Sequence, residues 1–155
     1  MKGKMTANLT SLTLDHRLAA AGPIADQFRE LSALFWDLTH IPPSLIELCR
    51  LDLAVMHKAA AEQTEPNPAV PDLDPGKAAA VLAGSWRKDP SFPAGERAAL
   101  DFTEYYFLDP QSIPDEVAAA VIGHFGESGL VCLVESLGFI DSRIRLSLLF
   151  SALSA

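Results

Sequence analysis

The stretch Ile41-Pro42-Pro43-Ser44-Leu45-Ile46-Glu47-Leu48-Cys49-Arg50-Leu51-Asp52-Leu53-Ala54-Val55-Met56-His57-Lys58-Ala59-Ala60-Ala61-Glu62-Gln63 reads as a punctuated start followed by a helix. The two prolines end whatever precedes them, because a residue before proline disfavours the helical conformation and proline itself has no amide to donate. Ser44-Leu45-Ile46-Glu47 has the spacing of a capping box, with the serine hydroxyl taking the Glu47 amide and the glutamate reaching back. The helix it opens runs through Leu48, Leu51, Ala54, Val55 and Lys58, and its pattern continues to Gln63.

Outward from this stretch the chain is helix after helix. On the N-terminal side, Pro23 to Leu38 carries Ile24, Phe28, Leu31, Leu34, Phe35 and Leu38 at spacings of three and four, one apolar stripe opposite Asp26, Gln27, Arg29 and Glu30. Residues 1–20 are expected to form a poorly ordered arm. On the C-terminal side, Thr64 to Pro75 holds four prolines and must be a surface loop. Asp74 as N-cap and Pro75 as first helical residue then start a short helix through Lys77 to Leu82. After Gly84 to Pro93 a helix runs from Glu96 to Leu108, and Ser112-Ile113-Pro114-Asp115 opens another that closes at His124-Phe125-Gly126. The last helix, Glu127 to Leu153, is apolar on nearly every side, which places it in the centre of a bundle or at a subunit interface.

The expected fold is therefore all-α, a bundle of about six or seven helices in a single domain spanning 1–155. A chain of 155 residues suits one domain, and at that length about 70% of the unfolded surface is buried. The many alanines point to closely packed helices. A formal net charge of -8 with 12 basic residues scattered along the chain excludes a nucleic-acid partner, which needs a basic stripe to neutralise phosphates. Cys49 and Cys132 make neither a disulfide framework nor a metal spacing, so a cytoplasmic, reducing location is expected. No signal-peptide pattern follows the basic start, and no uninterrupted apolar stretch of membrane-spanning length is read from the sequence. No membrane partner and no cofactor are expected.

The run Ile41 to Leu48 followed by Leu51-Asp52-Leu53-Ala54 resembles the central motif of the carboxymuconolactone decarboxylase and alkylhydroperoxidase D-like superfamily. Phe92 to Glu104 resembles its downstream helix, and Ile113 to Val117, His124 to Gly126, Leu130-Val131 and Arg143 resemble its tail, so that the likeness covers about Leu31 to Phe150 in order. The resemblance implies an alkylhydroperoxidase D-like helical bundle that assembles as a homo-oligomer. It also implies a site: a glutamate, and twelve residues later a Cys-x-x-Cys pair with one histidine inside it and another four residues beyond. Glu47 matches the glutamate, whereas Ala59, Ala61, Glu62 and Pro66 stand at the first cysteine, inner histidine, second cysteine and outer histidine. A thiol peroxidase needs an acidified thiolate and a resolving thiol beside it, so thiol-dependent peroxidase activity is not expected. With His57-Lys58 in place of the family's Asn-Gly break, the helix start that would acidify a thiol is also expected to be lost.

Glu47, His57 and Glu62 are the candidate catalytic residues. Each has a plainer reading, since Glu47 is accounted for by the capping box and Lys58 with Glu62 by a solvated pair four residues apart. His40, His57, Glu47 and Glu62 are types that bind divalent ions, yet they show no ligand spacing and no metal site is expected. His124 suits the last turn of a helix, and Trp36 and Trp86 suit the core. Arg143 and Arg145 lie in an apolar helix and call for carboxylate partners, with Asp101, Glu104, Glu135 and Asp141 the candidates. The function implied is that of a carboxymuconolactone decarboxylase-like protein without thiol peroxidase activity, either a divergent small-molecule enzyme or a non-catalytic pocket protein. The alternatives are a decarboxylase-like enzyme acting on a small carboxylic acid or lactone, and an oligomeric scaffold.

Overall fold

In the computed structural model, which describes residues 9–153, every regular element is helical. The order is α1 (Asp15–Leu18), a 3-10 turn at Ala19–Ala21, α2 (Pro23–Phe35), α3 (Pro43–Met56), α4 (Ala60–Thr64), α5 (Pro75–Leu82), a 3-10 turn at Trp86–Lys88, α6 (Ala94–Leu108) and α7 (Asp115–Leu153). Local signals set most of these bounds. The Asp74 carboxylate accepts the Gly76 and Lys77 amides at 2.8 and 3.2 Å, so α5 starts on the expected cap with Pro75 in its first turn. Within α7 the backbone breaks at Gly126 (φ 73, ψ 176), a region of conformational space that essentially only glycine occupies, and the helix restarts beyond it.

At the centre of the bundle lies α3, not the C-terminal helix. All ten residues from Leu45 to Ala54 are buried, and α3 packs against α4, α5, α6 and α7. The expected capping box does not form. The helix begins at Pro43 with Pro42 as N-cap, which leaves Ser44 inside the first turn, and the Glu47 side chain is drawn inward instead. Nor does the helix reach Gln63. It ends at Met56 in a Schellman motif, with the Ala59 amide bonded to the Ala54 carbonyl (2.9 Å) and the Lys58 amide to the Val55 carbonyl (3.0 Å). A break therefore survives at His57-Lys58 without a glycine, because Lys58 itself adopts the left-handed conformation (φ 56).

That conformation crowds the lysine Cβ, and glycine carries no such penalty. Lys58→Gly is therefore expected to stabilise the protein by about 1 kcal/mol, since Lys58 is exposed and loses no packing. A rise in the urea midpoint at unchanged m-value checks this; a fall would place the lysine outside the left-handed region.

The C-terminal helix buries one stripe, Gly129, Leu133, Ser136, Leu137, Ile140, Arg143, Ile144 and Ser147, against the core. Its opposite side leaves Val131, Val134, Leu148, Leu149 and Leu153 exposed. The α2 stripe behaves alike: Ile24, Leu31 and Leu34 are 60%, 42% and 62% exposed, and Phe28 and Phe35 stack on the Phe139 ring. By length and composition α7 would also suffice to cross a membrane, although Gly126 interrupts it and its core-facing stripe carries Arg143. From Leu9 onward the stretch expected as a loose arm is packed, with Thr10, Ser11 and Leu14 buried; residues 1–8 lie outside the described residues.

Candidate functional site

Charged residues in a buried helix must find partners or forfeit stability. Arg50, one helical turn after Glu47 on α3, has no measurable exposure. Its Nε and Nη2 donate to the two Glu47 oxygens at 2.8 and 2.6 Å. Nη1 donates to Glu62 Oε2 at 2.7 Å and to the Glu62 carbonyl at 3.2 Å, and Nη2 reaches the Glu65 carbonyl at 3.4 Å. The five donors of a guanidinium are thus met by five contacts. Burial alone would lower the Arg50 pKa, but the hydrogen bonds and charges of Glu47 and Glu62 outweigh it and hold the value above that of a free arginine.

The two carboxylates are pinned from their far sides. Asn67, in the proline-rich loop, donates from Nδ2 to Glu47 Oε2 at 2.8 Å while its own Oδ1 accepts the Ala69 amide, which ties that loop to α3. Glu62 accepts the Ser11 hydroxyl at 2.7 Å and the Ser11 amide, and the Ser147 hydroxyl lies 3.2 Å from Oε1. Lys58 is exposed and Glu62 points into the protein, so the solvated Lys58–Glu62 pair expected from their spacing does not exist. Left-handed Lys58 turns the chain between them, and Arg50 claims the carboxylate.

His57 is not part of this group. Its Nε2 meets Asp141 on α7, its ring stands edge-on to Phe107 with centroids 4.8 Å apart, and Asp141 also accepts Arg145 Nε at 3.0 Å. The structure brings Glu47 and Glu62 together across Arg50 and sends His57 elsewhere. His40 is exposed, and no set of three or more His, Cys, Asp or Glu among the described residues is arranged to hold a metal ion. Arg145 takes Asp141, one of the expected partners. Arg143 takes none of them: it donates to the Ser11 carbonyl from Nε and Nη2 at 3.0 and 2.8 Å and from Nη2 to Asp15 at 3.1 Å. Asp101 and Glu104 are instead engaged by Arg87.

Neither cysteine stands at the positions, 59 and 62, where the resemblance would place a redox pair. Ala59 and Glu62 are buried at those positions, while Cys49 lies in the core, where burial pushes its thiol up to about 12 despite a hydrogen bond with Thr103. A thiol so protonated is a poor nucleophile at neutral pH. Two cavities flank the charged group. One of about 280 Å³ lies against Glu47, with Asn67 and Gln63 on its polar side and Leu51, Leu73 and Leu82 on its apolar side. Another of about 180 Å³ lies against Glu62, between Ala59, Ala60 and Ser147.

Arg50, Asn67 and Ser11 were not singled out by reading the sequence. For Arg50 a signal exists: an arginine inside the apolar run Leu45 to Ala54, three residues after a glutamate, needs a carboxylate as much as Arg143 does. For Ser11 and Asn67 there is none, since serines and asparagines in loops are ordinary. Trp86 is a core residue with the Arg87 guanidinium over its ring, and Trp36 is half-buried. In comparisons with family models, curated proteins and solved structures, the chain matches none.

Proposed function

We propose that this chain is a divergent relative of the carboxymuconolactone decarboxylase and alkylhydroperoxidase D-like superfamily that has exchanged redox chemistry for a structural ion network and binds a small molecule without turning it over. The observation that carries this reading is Arg50, whose five contacts fill the space between Glu47 and the residue standing at the second cysteine position. A general base needs a carboxylate lone pair free to receive a proton within hydrogen-bond reach of substrate. Glu47 already accepts three hydrogen bonds, two from a cation, and this disfavours the decarboxylase-like alternative. The cavity against Glu47 combines apolar walls with polar groups, as small-molecule pockets do, and its volume suits a small ligand.

The exposed apolar sides of α2 and α7 favour a homo-oligomer, because contiguous apolar surface is rare on soluble monomers. Both cysteines are free, in keeping with a cytoplasmic setting. The test is threefold on one preparation. Peroxide consumption with a dithiol reductant should stay at the rate without protein. A library of small carboxylic acids and lactones should yield a compound that raises Tm without being consumed. Light scattering should give a mass at least twice 16.7 kDa. Turnover of peroxide, or consumption of the bound compound, would overturn the non-catalytic reading, and a stable monomer would overturn the assembly.

A further inference from the structure

Residues 9–15 lie across the Glu62 side of the ion network as a strap, and Ser11 is its plug. Its amide and hydroxyl both donate to Glu62, and its carbonyl accepts both Nε and Nη2 of Arg143. One peptide oxygen thus occupies a guanidinium fork whose geometry matches the two oxygens of a carboxylate. The fit leaves Arg143 unsatisfied: the side chain is 3% exposed, and its Nη1 has no partner among the described residues. Arg143 lines a void of about 10 Å³ together with Ser11, Ser32, Arg50 and the rings of Phe35 and Phe139, and Glu62 lines the 180 Å³ cavity.

We infer that Glu62 and Arg143 form a binding site for a small 2-amino carboxylic acid, which Ser11 of the strap imitates and occupies until the ligand displaces it. The carboxylate of such a molecule would take Nε and Nη2 of Arg143, the pair that the Ser11 carbonyl bridges now, and its ammonium would take the Glu62 oxygen now held by the Ser11 amide. A side-chain hydroxyl would reproduce the remaining bond to Glu62. Charge agrees with this choice. Asp15, Glu47 and Glu62 against Arg50 and Arg143 leave the group at a net charge of -1, and a zwitterion of zero net charge replaces a neutral residue without changing that balance, whereas a simple anion would add to it. This site is separate from the cavity against Glu47, and its failure would leave the function proposed for that cavity standing.

The strap is anchored by Leu14, which is buried yet lies outside the main hydrophobic core, so it can be loosened without opening the bundle. Apparent affinity for a ligand that needs the strap displaced scales with the fraction of molecules in which it is open. The experiment titrates the full chain and its Leu14→Ala variant with L-serine, L-lactate and acetate by calorimetry, with hydrogen exchange over residues 9–15 recorded by mass spectrometry. Saturable L-serine binding is expected, at least tenfold tighter in Leu14→Ala, with exchange over 9–15 accelerated on binding. L-lactate, lacking the amine, should bind at least tenfold more weakly than L-serine, and acetate more weakly still. Absence of L-serine binding in both proteins overturns the inference. So does binding that leaves the strap protected, affinity indifferent to Leu14→Ala, or acetate binding as tightly as L-serine, which would reduce the site to a simple anion contact.

Discussion

Arg50→Leu is expected to destabilise the protein by about 3–5 kcal/mol, the cost of removing one partner from a buried ionic group and leaving the other charges uncompensated. Here two carboxylates lose their cation at once, each 2% exposed or less. The carbonyls of Glu62 and Glu65 lose a donor as well. The partner experiment separates this penalty from any intrinsic benefit of the network. A triple replacement, Glu47→Leu with Arg50→Met and Glu62→Leu, removes all three charges while keeping volume, and buried ion networks replaced in this way are often neutral or stabilising. The triple variant is therefore expected to recover most of the loss in urea denaturation, short of what Ser11 and Asn67 forfeit when their acceptors go. If Arg50→Leu shifts stability by less than 1 kcal/mol, the guanidinium does not bridge the two carboxylates.

Asp52→Asn is expected to act in the opposite direction. Asp52 is buried on α3, one of its oxygens has no partner among the described residues, and its carboxyl is pushed up to about 7. Burial is the chief cause, Glu104 and Asp101 on α6 add to it, and Arg87 pulls the other way. In the unfolded chain the same carboxyl ionises near its ordinary value of about 4. Between those values the folded state holds a proton that the unfolded state has released, so stability falls as pH rises through this window and the penalty is complete above about pH 7. Its size is on the order of 3–4 kcal/mol, three pKa shifts of one unit being worth about 4. Asparagine resembles the protonated acid in shape and carries no charge. At pH 8 the variant should be more stable than the parent by about 2–4 kcal/mol, and near pH 4 the two should nearly coincide. Denaturation midpoints of both proteins across pH 4–8 measure the difference, in which the other carboxylates cancel. Parallel curves would mean that Asp52 ionises normally in the folded protein.

These two residues also mark how far the sequence can be read. Both sit in Leu45 to Ala54, a run whose apolar character identifies a buried helix whichever residues it meets. Charges inside such a run announce that partners exist without naming them. Glu47 illustrates the difficulty, because a local partner, Ser44, was available at capping distance in sequence and a cation three residues ahead took the carboxylate instead. A neutral cap is worth about 1 kcal/mol, whereas a buried carboxylate left without a cation costs several, so the interior contact wins.

The amino-acid sequence by itself determined the all-helical class and most of the punctuation: the α5 start at Asp74-Pro75, the α6 start after Pro93, the α7 start after Pro114 and the break at Gly126. Such signals work within one turn of backbone, where proline's missing amide, a capping carboxylate or glycine's conformational freedom acts on its immediate neighbours. Tertiary structure alone decided the break at Lys58, where packing on both sides holds a non-glycine residue left-handed, and the division of the candidate residues into a Glu47–Arg50–Glu62 group and a separate His57–Asp141 contact. It also decided that the N-terminal strap closes over Glu62 and Arg143, contacts between residues 51 and 132 positions apart. The partner of a buried charge is whichever complementary group the fold desolvates beside it, and that competition is settled by three-dimensional proximity rather than by spacing along the chain.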